Sequence, residues 1–546
     1  MSLTSFYRTV FILMRLNDLH YSRAGLHFAT AAVLVCGVYL GSLAGSGDFG
    51  RLAWVVSGLM LIIYPVTLQP FTWMAALLWA FLDFVHFGFG FKIANSEASL
   101  VFGALLVGTT WWRKMRFEPP ELTTHWSFRL LKILLIAWLG YAAGHTIFNI
   151  LNPFSPQDFS LKNLMKTAVQ WSAPFALLFY FLTWPPLVFR FGSNIQRAIA
   201  RLLFVGLITN VLMRAYFLWS GQSAGVSSTE DEVFGVYIPY LDLAENTYAT
   251  RFLGPFGALF YTVLVTSQWF HKQTAATRAL CWIGIALSII GAVLSGGRFT
   301  VAVAVLQIAI VLVVRKKSWV IFAGAVPAAI LFLTVNLFST EVREAPKMVS
   351  RSLQWMLINK DFDTVGDISS STDWRKDVFS RAIHEWRSDW RIFWFGRATY
   401  SYSDADTLDM KLRGNEGGLE TALRRGSTHN LLSDLLIMFG LTGAILFMVM
   451  NLALGLFLLK LWRIPARDDS AQNLALICLI FHIFNVGIGL IAGAAFPPAF
   501  SWIVIIVVTS HYFNTREKEQ AMPASRSIRA DRKRARRQPL GQLNNG

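Results

Sequence analysis

Apolar runs of membrane-spanning length recur from one end of this chain to the other, and that repetition constrains its fold more than any single motif does. Runs long enough to cross a bilayer fall near residues 25–44, 52–69, 72–92, 98–112, 129–151, 168–189, 199–219, 254–270, 278–296, 299–314, 318–338, 441–461, 471–492 and 494–512. About 20 apolar residues are needed per crossing. With a run or two short enough to be re-entrant, the expectation is an all-α, polytopic transmembrane helical bundle of about 12–14 spans. Composition agrees. Charged residues make up 15% of the 546-residue chain and hydrophobic residues 54%, whereas about 25% charged is usual for a soluble domain. Mean hydropathy is +0.47.

The formal charge of +17 invites a nucleic-acid reading, but its distribution argues for membrane topology instead. Basic residues fill short loops between apolar runs: Arg113, Lys114 and Arg116; Arg190 and Arg197; Lys272 and Arg278; Arg315, Lys316 and Lys317; Lys460, Arg463 and Arg467. Placing those loops inside follows the positive-inside rule and puts both termini in the cytoplasm. The intervening loop at 220–250 is acidic, with Glu230, Asp231, Glu232, Asp242 and Glu245. The first run follows Arg8, Arg15 and Arg23 and reads as a retained span. Cys36, Cys281 and Cys478 all lie within apolar runs, so no disulfide framework or zinc site is expected.

These readings divide the chain into residues 1–338 (spans one to eleven), a large outside loop at 339–428, residues 429–513 (the loop exit and three further spans), and a tail at 514–546. The loop carries 14 acidic and 14 basic residues, with Trp355, Trp374, Trp386, Trp390, Phe393, Trp394 and Phe395 among them. Balanced charge with bulky aromatics suits a mostly helical folded cap, not a disordered linker. Phe379, Ile383, Trp386 and Trp390 follow helical spacing. The tryptophans read first as packing onto the membrane surface and second as sugar-stacking platforms. The tail, with Arg532, Lys533, Arg534, Arg536 and Arg537, reads as disordered and drawn to anionic inner-leaflet lipids.

Ionisable groups inside spans are costly, and here they gather on one side. Asp83 and His86 fall in the outer half of the third span, three apart on one helix face, and His145 in the outer half of the fifth. Arg214 lies near the outer end of the seventh. Arg251 opens the eighth span, Arg298 sits at an outer turn, and His429 ends the large loop. Lys132 and His482 depart from this pattern. Each group also has a structural reading: Asp83 and His86 satisfying one another, His145 and His482 as buried hydrogen-bonding groups, Arg214 as a snorkelling cation. Arg298 follows Ser295-Gly296-Gly297, where glycines allow close approach of a ligand, and its guanidinium suits bidentate phosphate contact. Arg251 lies beside Gly254 and Gly257. His429, at a loop-to-helix junction, either accepts a proton near neutral pH or serves as a polar residue at a helix start.

At these residues the chain resembles the O-antigen ligase and polymerase family of membrane glycosyltransferases. The resemblance is carried by LSGGRFTVAVAVLQIAIVLV at 294–313, the long outside loop one span later, and the HN-x-x-L…G-x-x-G run from His429 to Gly443. It covers roughly residues 240–460. Family members often follow the arginine matched by Arg251 with a Gly-rich stretch containing Asn-Pro, whereas this chain reads RFLGPFGALFY. The resemblance implies a bacterial inner-membrane protein with its active site facing the periplasm, and with the 339–428 loop as a periplasmic domain. It implies an undecaprenyl-diphosphate-linked oligosaccharide donor and, as acceptor, a second glycan or lipid A core, with no cofactor and no metal. His429 becomes the base on the acceptor hydroxyl, and Arg298 and Arg251 hold the diphosphate; Arg214, from its place at the outer end of the seventh span, is a further substrate-binding candidate. A transporter or lipid-glycan flippase is the alternative. It would spread ionisable groups through both leaflets, often around an internal repeat.

Overall fold

A computed structural model describes residues 126–152, 161–183, 193–219, 247–295, 298–317, 319–345, 362–397, 430–464 and 469–492, together with 77, 81, 85–88, 92–94, 232–233, 236–237, 241–243, 349–350, 353–358, 423, 428 and 503–505. The chain divides into two compact units. One comprises Met1–Met115 with Tyr216–Ala249, the other Arg116–Ala215 with Thr250–Gly546.

In the first unit, short strands β1 (Val85–Gly88), β2 (Lys92–Ala94) and β5 (Leu241–Leu243) form an antiparallel sheet in the order β2-β1-β5. A separate pair is formed by β3 (Glu232–Val233) and β4 (Val236–Tyr237). His86 thus stands opposite Ala94 and Asp242 in a sheet register, not on a helix face with Asp83. Asp83 lies outside the described residues. Val85 and Phe87 favour extended backbone, and Gly88 and Gly90 disfavour continuing a helix, so local preference overrides the apolar run here.

The second unit holds α1 (Trp126–Leu151), α2 (Leu161–Thr183), α3 (Ser193–Trp219), α4 (Thr247–Val265), α5 (Gln268–His271), α6 (Ala275–Leu294), α7 (Arg298–Val314) and α8 (Trp319–Leu337). The helices of the large loop follow: α9 (Ser339–Glu344), α10 (Phe362–Ser388) and α11 (Trp390–Phe395). Then come α12 (Leu431–Arg463) and α13 (Asp469–Ala492). Helices α3 and α4 extend across the division between the units. The chain is an all-α, multi-pass membrane protein. Among the described residues, Trp126–Leu151, Ala275–Leu294, Leu431–Arg463 and Asp469–Gly487 are long and apolar enough to span, and Phe252–Val265 and Thr300–Val314 are shorter apolar helices. Ile133 of α1 is 63% exposed and Leu452 of α12 64%. Such apolar surface on otherwise packed helices belongs against lipid tails.

Helix α12 organises this unit. It begins at Asn430, whose side chain accepts the backbone N–H groups of Leu432 and Ser433 at 2.9 and 3.2 Å. It then breaks at Gly440, where φ is 66° and ψ −175°. A broken helix leaves carbonyls without their usual partners, and buried carbonyls must be satisfied. The Arg397 N–H donates to the Ile437 carbonyl at 2.9 Å, and the Tyr141 hydroxyl of α1 donates to that of Phe439. Trp138, Trp171, Phe175, Phe439 and Phe447 surround the break, with ring centroids 5.0–6.4 Å apart. The loop contributes a matching feature. Gly396 has φ 74°, and a Cβ on it would collide with the backbone of Met438 and Phe439. A Cβ on Gly440 would collide with the backbone of Trp394 and Phe395. Two left-handed glycines therefore let the chain end of α11 press backbone to backbone against the break.

The loop helix expected near Trp374–Trp394 is present, with a different inner face. Val378, Ala382 and Trp386 are buried, while Phe379 is 38% exposed. Val378 packs with Trp374 and Leu423, so the core face at Val378 and Ala382 is offset by one residue from the expected Phe379 and Ile383. Trp390 belongs to the next helix, which Asp389 caps by accepting the Arg391 N–H at 2.6 Å.

Replacing Gly440 by Ala should lower the unfolding midpoint of the purified full-length protein, at a cost of about 1–3 kcal/mol from positive-φ strain alone. Gly144→Ala, where the added methyl meets open space, should leave the midpoint unchanged or raise it. Equal midpoints for the two variants would refute the interlock.

Candidate functional site

Three of the sequence-predicted residues sit on helices joined by small side chains at one end of the bundle. Gly254 of α4 faces the backbone of Ala292 on α6, to which a Cβ would come within 2.9 Å. Gly257 faces Ser288 of α6 and Leu207 of α3, and Gly291 faces Val211 of α3. Ala258, Ala292, Val301 and Ala304 form the shared core of α4, α6 and α7. Backbone contact at these positions fixes which helix ends meet. Arg251 lies three residues before Gly254, Arg214 three after Val211, and Arg298 six after Ala292, beyond the Ser295 turn. All three arginine positions therefore fall at the same end of the α3/α4/α6/α7 cluster. The Arg214 side chain is buried and partnered.

The start of α12 can be set against this end by distance along the helices. On the opposite side of the cluster, Arg315 hydrogen-bonds the Asn473 side chain near the start of α13. From there α13 runs along α4, where Phe481 packs edge-on against Phe252 and Phe256 with centroids 5.3 Å apart. Arg298 is seventeen residues from Arg315, and Leu490 is seventeen from Asn473; at 1.5 Å per residue each stretch rises about 25 Å. Asn430 donates its side-chain amide to the Leu490 carbonyl at 2.5 Å. The first residue of α7 and the Leu490 partner of the α12 cap are thus each about 25 Å of helix away from the Arg315–Asn473 contact.

His429 lies outside the described residues, but its neighbours on both sides are tightly held. Thr428 is buried, and both its N–H and its hydroxyl donate to the Asp434 carboxylate at 2.6 Å. The Thr428 hydroxyl is also paired with that of Ser433. Asn430 is fixed twice, as the cap of α12 and on α13. Position 429 is thereby bracketed by two anchored residues at a helix start.

His145 and His482 are built into packing. His145 stacks beside Tyr141, meets the Asn149 amide at 3.1 Å, and faces the Met438 and Phe395 carbonyls and the Arg391 side chain. The crevice beside it, lined by Thr146, Thr167, Met438 and Phe439, has room for about one water molecule, too little for a sugar. The His482 Nε2 lies 2.8 Å from the Asn451 carbonyl and serves there as donor. No group of three or more His, Cys, Asp or Glu side chains with metal-binding proximity occurs among the described residues.

The residues that sequence reasoning missed are those of the break: Tyr141, Gly396, Arg397 and Gly440. Arg397 is buried, pairs with Glu385 at 2.5 Å and donates to the Leu423 carbonyl at 2.7 Å, so it joins α10, the loop's return strand of chain and α12. The one available signal was Gly440-x-x-Gly443, which lies within the His429–Gly443 run.

Known proteins bear on this arrangement. No curated protein matches the chain. A family model described as O-antigen ligase matches residues 283–448. The match runs from α6 through the Arg298 turn and the whole large loop into α12, and it supports membrane glycan transfer as the coarse activity. Over residues 283–448 the chain carries the features of the O-antigen ligase family, and the resemblance read from its sequence is borne out there.

Proposed function

We propose that the protein transfers a glycan from an undecaprenyl-diphosphate carrier to an acceptor glycan or lipid A core, acting as a surface-polysaccharide polymerase or an O-antigen ligase. The reaction takes place at the outer face of a bacterial inner membrane, with both chain termini cytoplasmic and residues 339–428 as the periplasmic domain. His429 removes the proton from the acceptor hydroxyl as its oxygen bonds to the anomeric carbon. The bond from that carbon to the diphosphate oxygen breaks, and the departing undecaprenyl diphosphate carries away the electron pair. Arg298, Arg251 and Arg214 neutralise that charge.

The observation that carries this reading is the gathering of three arginine positions at one helix-bundle end. Electrostatics adds to it. Arg298 opens α7 and Arg251 lies in the first turns of α4, where the helix macrodipole is positive and a cation is disfavoured by up to about 1 kcal/mol. A bound anion reverses the sign of that balance, because helix N-termini and guanidinium groups both favour phosphate. Arginines at these positions neutralise the diphosphate without a divalent metal.

In a strain lacking the gene, neither His429→Ala nor Arg298→Ala should restore long-chain glycan although both proteins reach the membrane. Loss of a base costs about 10²–10⁴-fold in rate, and restoration by His429→Ala would remove the base assignment. Gly254→Val should push α4 from α6 and lower transfer while leaving membrane insertion intact; full activity would mean that Arg251 and Arg298 need not act together. Transfer in purified membranes should survive EDTA, and a strict requirement for added divalent metal would count against the arginine clamp. Glycan analysis of the deletion strain separates the two acceptors: single repeat units on core indicate a polymerase, glycan stranded on its lipid carrier a ligase.

A further inference from the structure

The loop aromatics divide into two sets with different surroundings. Trp386 and Phe393 stack on each other with centroids 4.6 Å apart, and the Trp386 indole donates to the Phe393 carbonyl at 3.0 Å, so they serve the loop's own core. Trp390, Trp394 and Phe395 are 71%, 47% and 40% exposed. They lie along one outer face of α11, which ends against the broken helix.

That face is continuous with a membrane span. Phe395 packs on Phe148 of α1 at 6.2 Å and on Trp390 at 6.5 Å. Beside Phe148, Ile147 and Leu151 are exposed apolar residues in the last turns of a helix long enough to cross the bilayer. The outward face of α11 therefore extends the lipid-facing surface of α1 past its end. Arg391 stands at this boundary. Its guanidinium lies 4.6 Å from the Phe148 ring centre and donates to the Asn152 carbonyl just beyond α1.

We infer that this face is a phospholipid seat: α11 lies in the outer-leaflet interface, Trp390, Trp394 and Phe395 enter among the upper acyl chains, and Arg391 binds a phospholipid headgroup phosphate. Amphipathic aromatics concentrate at that depth. A guanidinium there has phosphate oxygens in reach and loses less hydration than an ammonium would. The occupant is the bilayer and not a protein, because the patch adjoins α1's exposed apolar surface through Phe395 and Phe148, with the Arg391 guanidinium beside them.

The test uses the full-length protein reconstituted in phosphatidylethanolamine–phosphatidylglycerol bilayers. A nitroxide on Trp394→Cys should collide with dissolved oxygen more than with a water-soluble nickel chelate. Collision mainly with the chelate would overturn the insertion of α11. By native mass spectrometry from the same bilayers, Arg391→Gln should retain about fivefold less phosphatidylglycerol than the parent protein, the change expected for one basic contact. Unchanged retention would overturn the phosphate contact. So would displacement of the lipid by inorganic pyrophosphate, which would assign Arg391 to a diphosphate instead. Neither readout involves glycan transfer, so the seat stands or falls apart from the proposed activity.

Discussion

The break in α12 at Gly440 is the constraint on which the second unit depends. A continuous helix from Asn430 to Arg463 would satisfy its own carbonyls and need nothing from the loop. With the break, the Ile437 and Phe439 carbonyls are satisfied by Arg397 and Tyr141, and the vacated space is filled by backbone on both sides. Unsatisfied, each such buried carbonyl would cost about 1–3 kcal/mol. The loop, α1 and the first part of α12 are in this way one mechanical piece. Residues 431–439, nearly all buried, form a short separate helix that begins at the Asn430 cap and whose end is held by the loop.

A second device, small residues at helix crossings, sets the positions of the arginines. Gly254, Gly257 and Gly284 admit Ala292, Ser288 and the ring of Tyr261 at distances no larger residue would allow. The Tyr261 hydroxyl in turn donates to the Ala200 carbonyl of α3 at 2.7 Å. Within a bilayer no hydrophobic effect drives helices together, so close packing of this kind carries much of the association. The same packing brings two helix N-termini together with the cationic positions Arg251 and Arg298 at one end, an arrangement that stability alone does not favour.

Much of this was legible in the sequence, and the shortfalls have physical causes. The spans at Trp126–Leu151, Ala275–Leu294, Leu431–Arg463 and Asp469–Gly487 follow from apolar runs because length and hydropathy are sufficient signals in a membrane. The Arg298 turn showed itself through Ser295-Gly296-Gly297, a local pattern. The strand at Val85–Gly88 did not, since an apolar run of that length reads alike as helix or sheet. Gly440 lay in plain view at the edge of an expected span, yet nothing local distinguishes a tolerated helix glycine from one at positive φ. Only its partner Gly396, 44 residues earlier, makes the difference, and pairings at that separation leave no trace in a single sequence. Arg397 was hidden for the same reason, as one of 14 basic residues in a charge-balanced loop.

The loop is consequently held from two directions by different physics. On its inner side Gly396 and Arg397 bind it to α12 through backbone contact and the Arg397 N–H to the Ile437 carbonyl, which tolerate almost no displacement. On its outer side Trp390, Trp394 and Phe395 offer only apolar area, which resists removal from the interface but not sliding along it. A cap fixed in this way keeps its depth relative to the bilayer while adjusting laterally. Depth is what a donor with its diphosphate at the membrane surface requires, because the carrier lipid already fixes the height of the reacting bond. Lateral freedom is what an acceptor glycan of variable size requires. On the proposed function, the stiff contact belongs where the loop meets α12 at Gly396 and Gly440, and the fluid one on the side of the lipid.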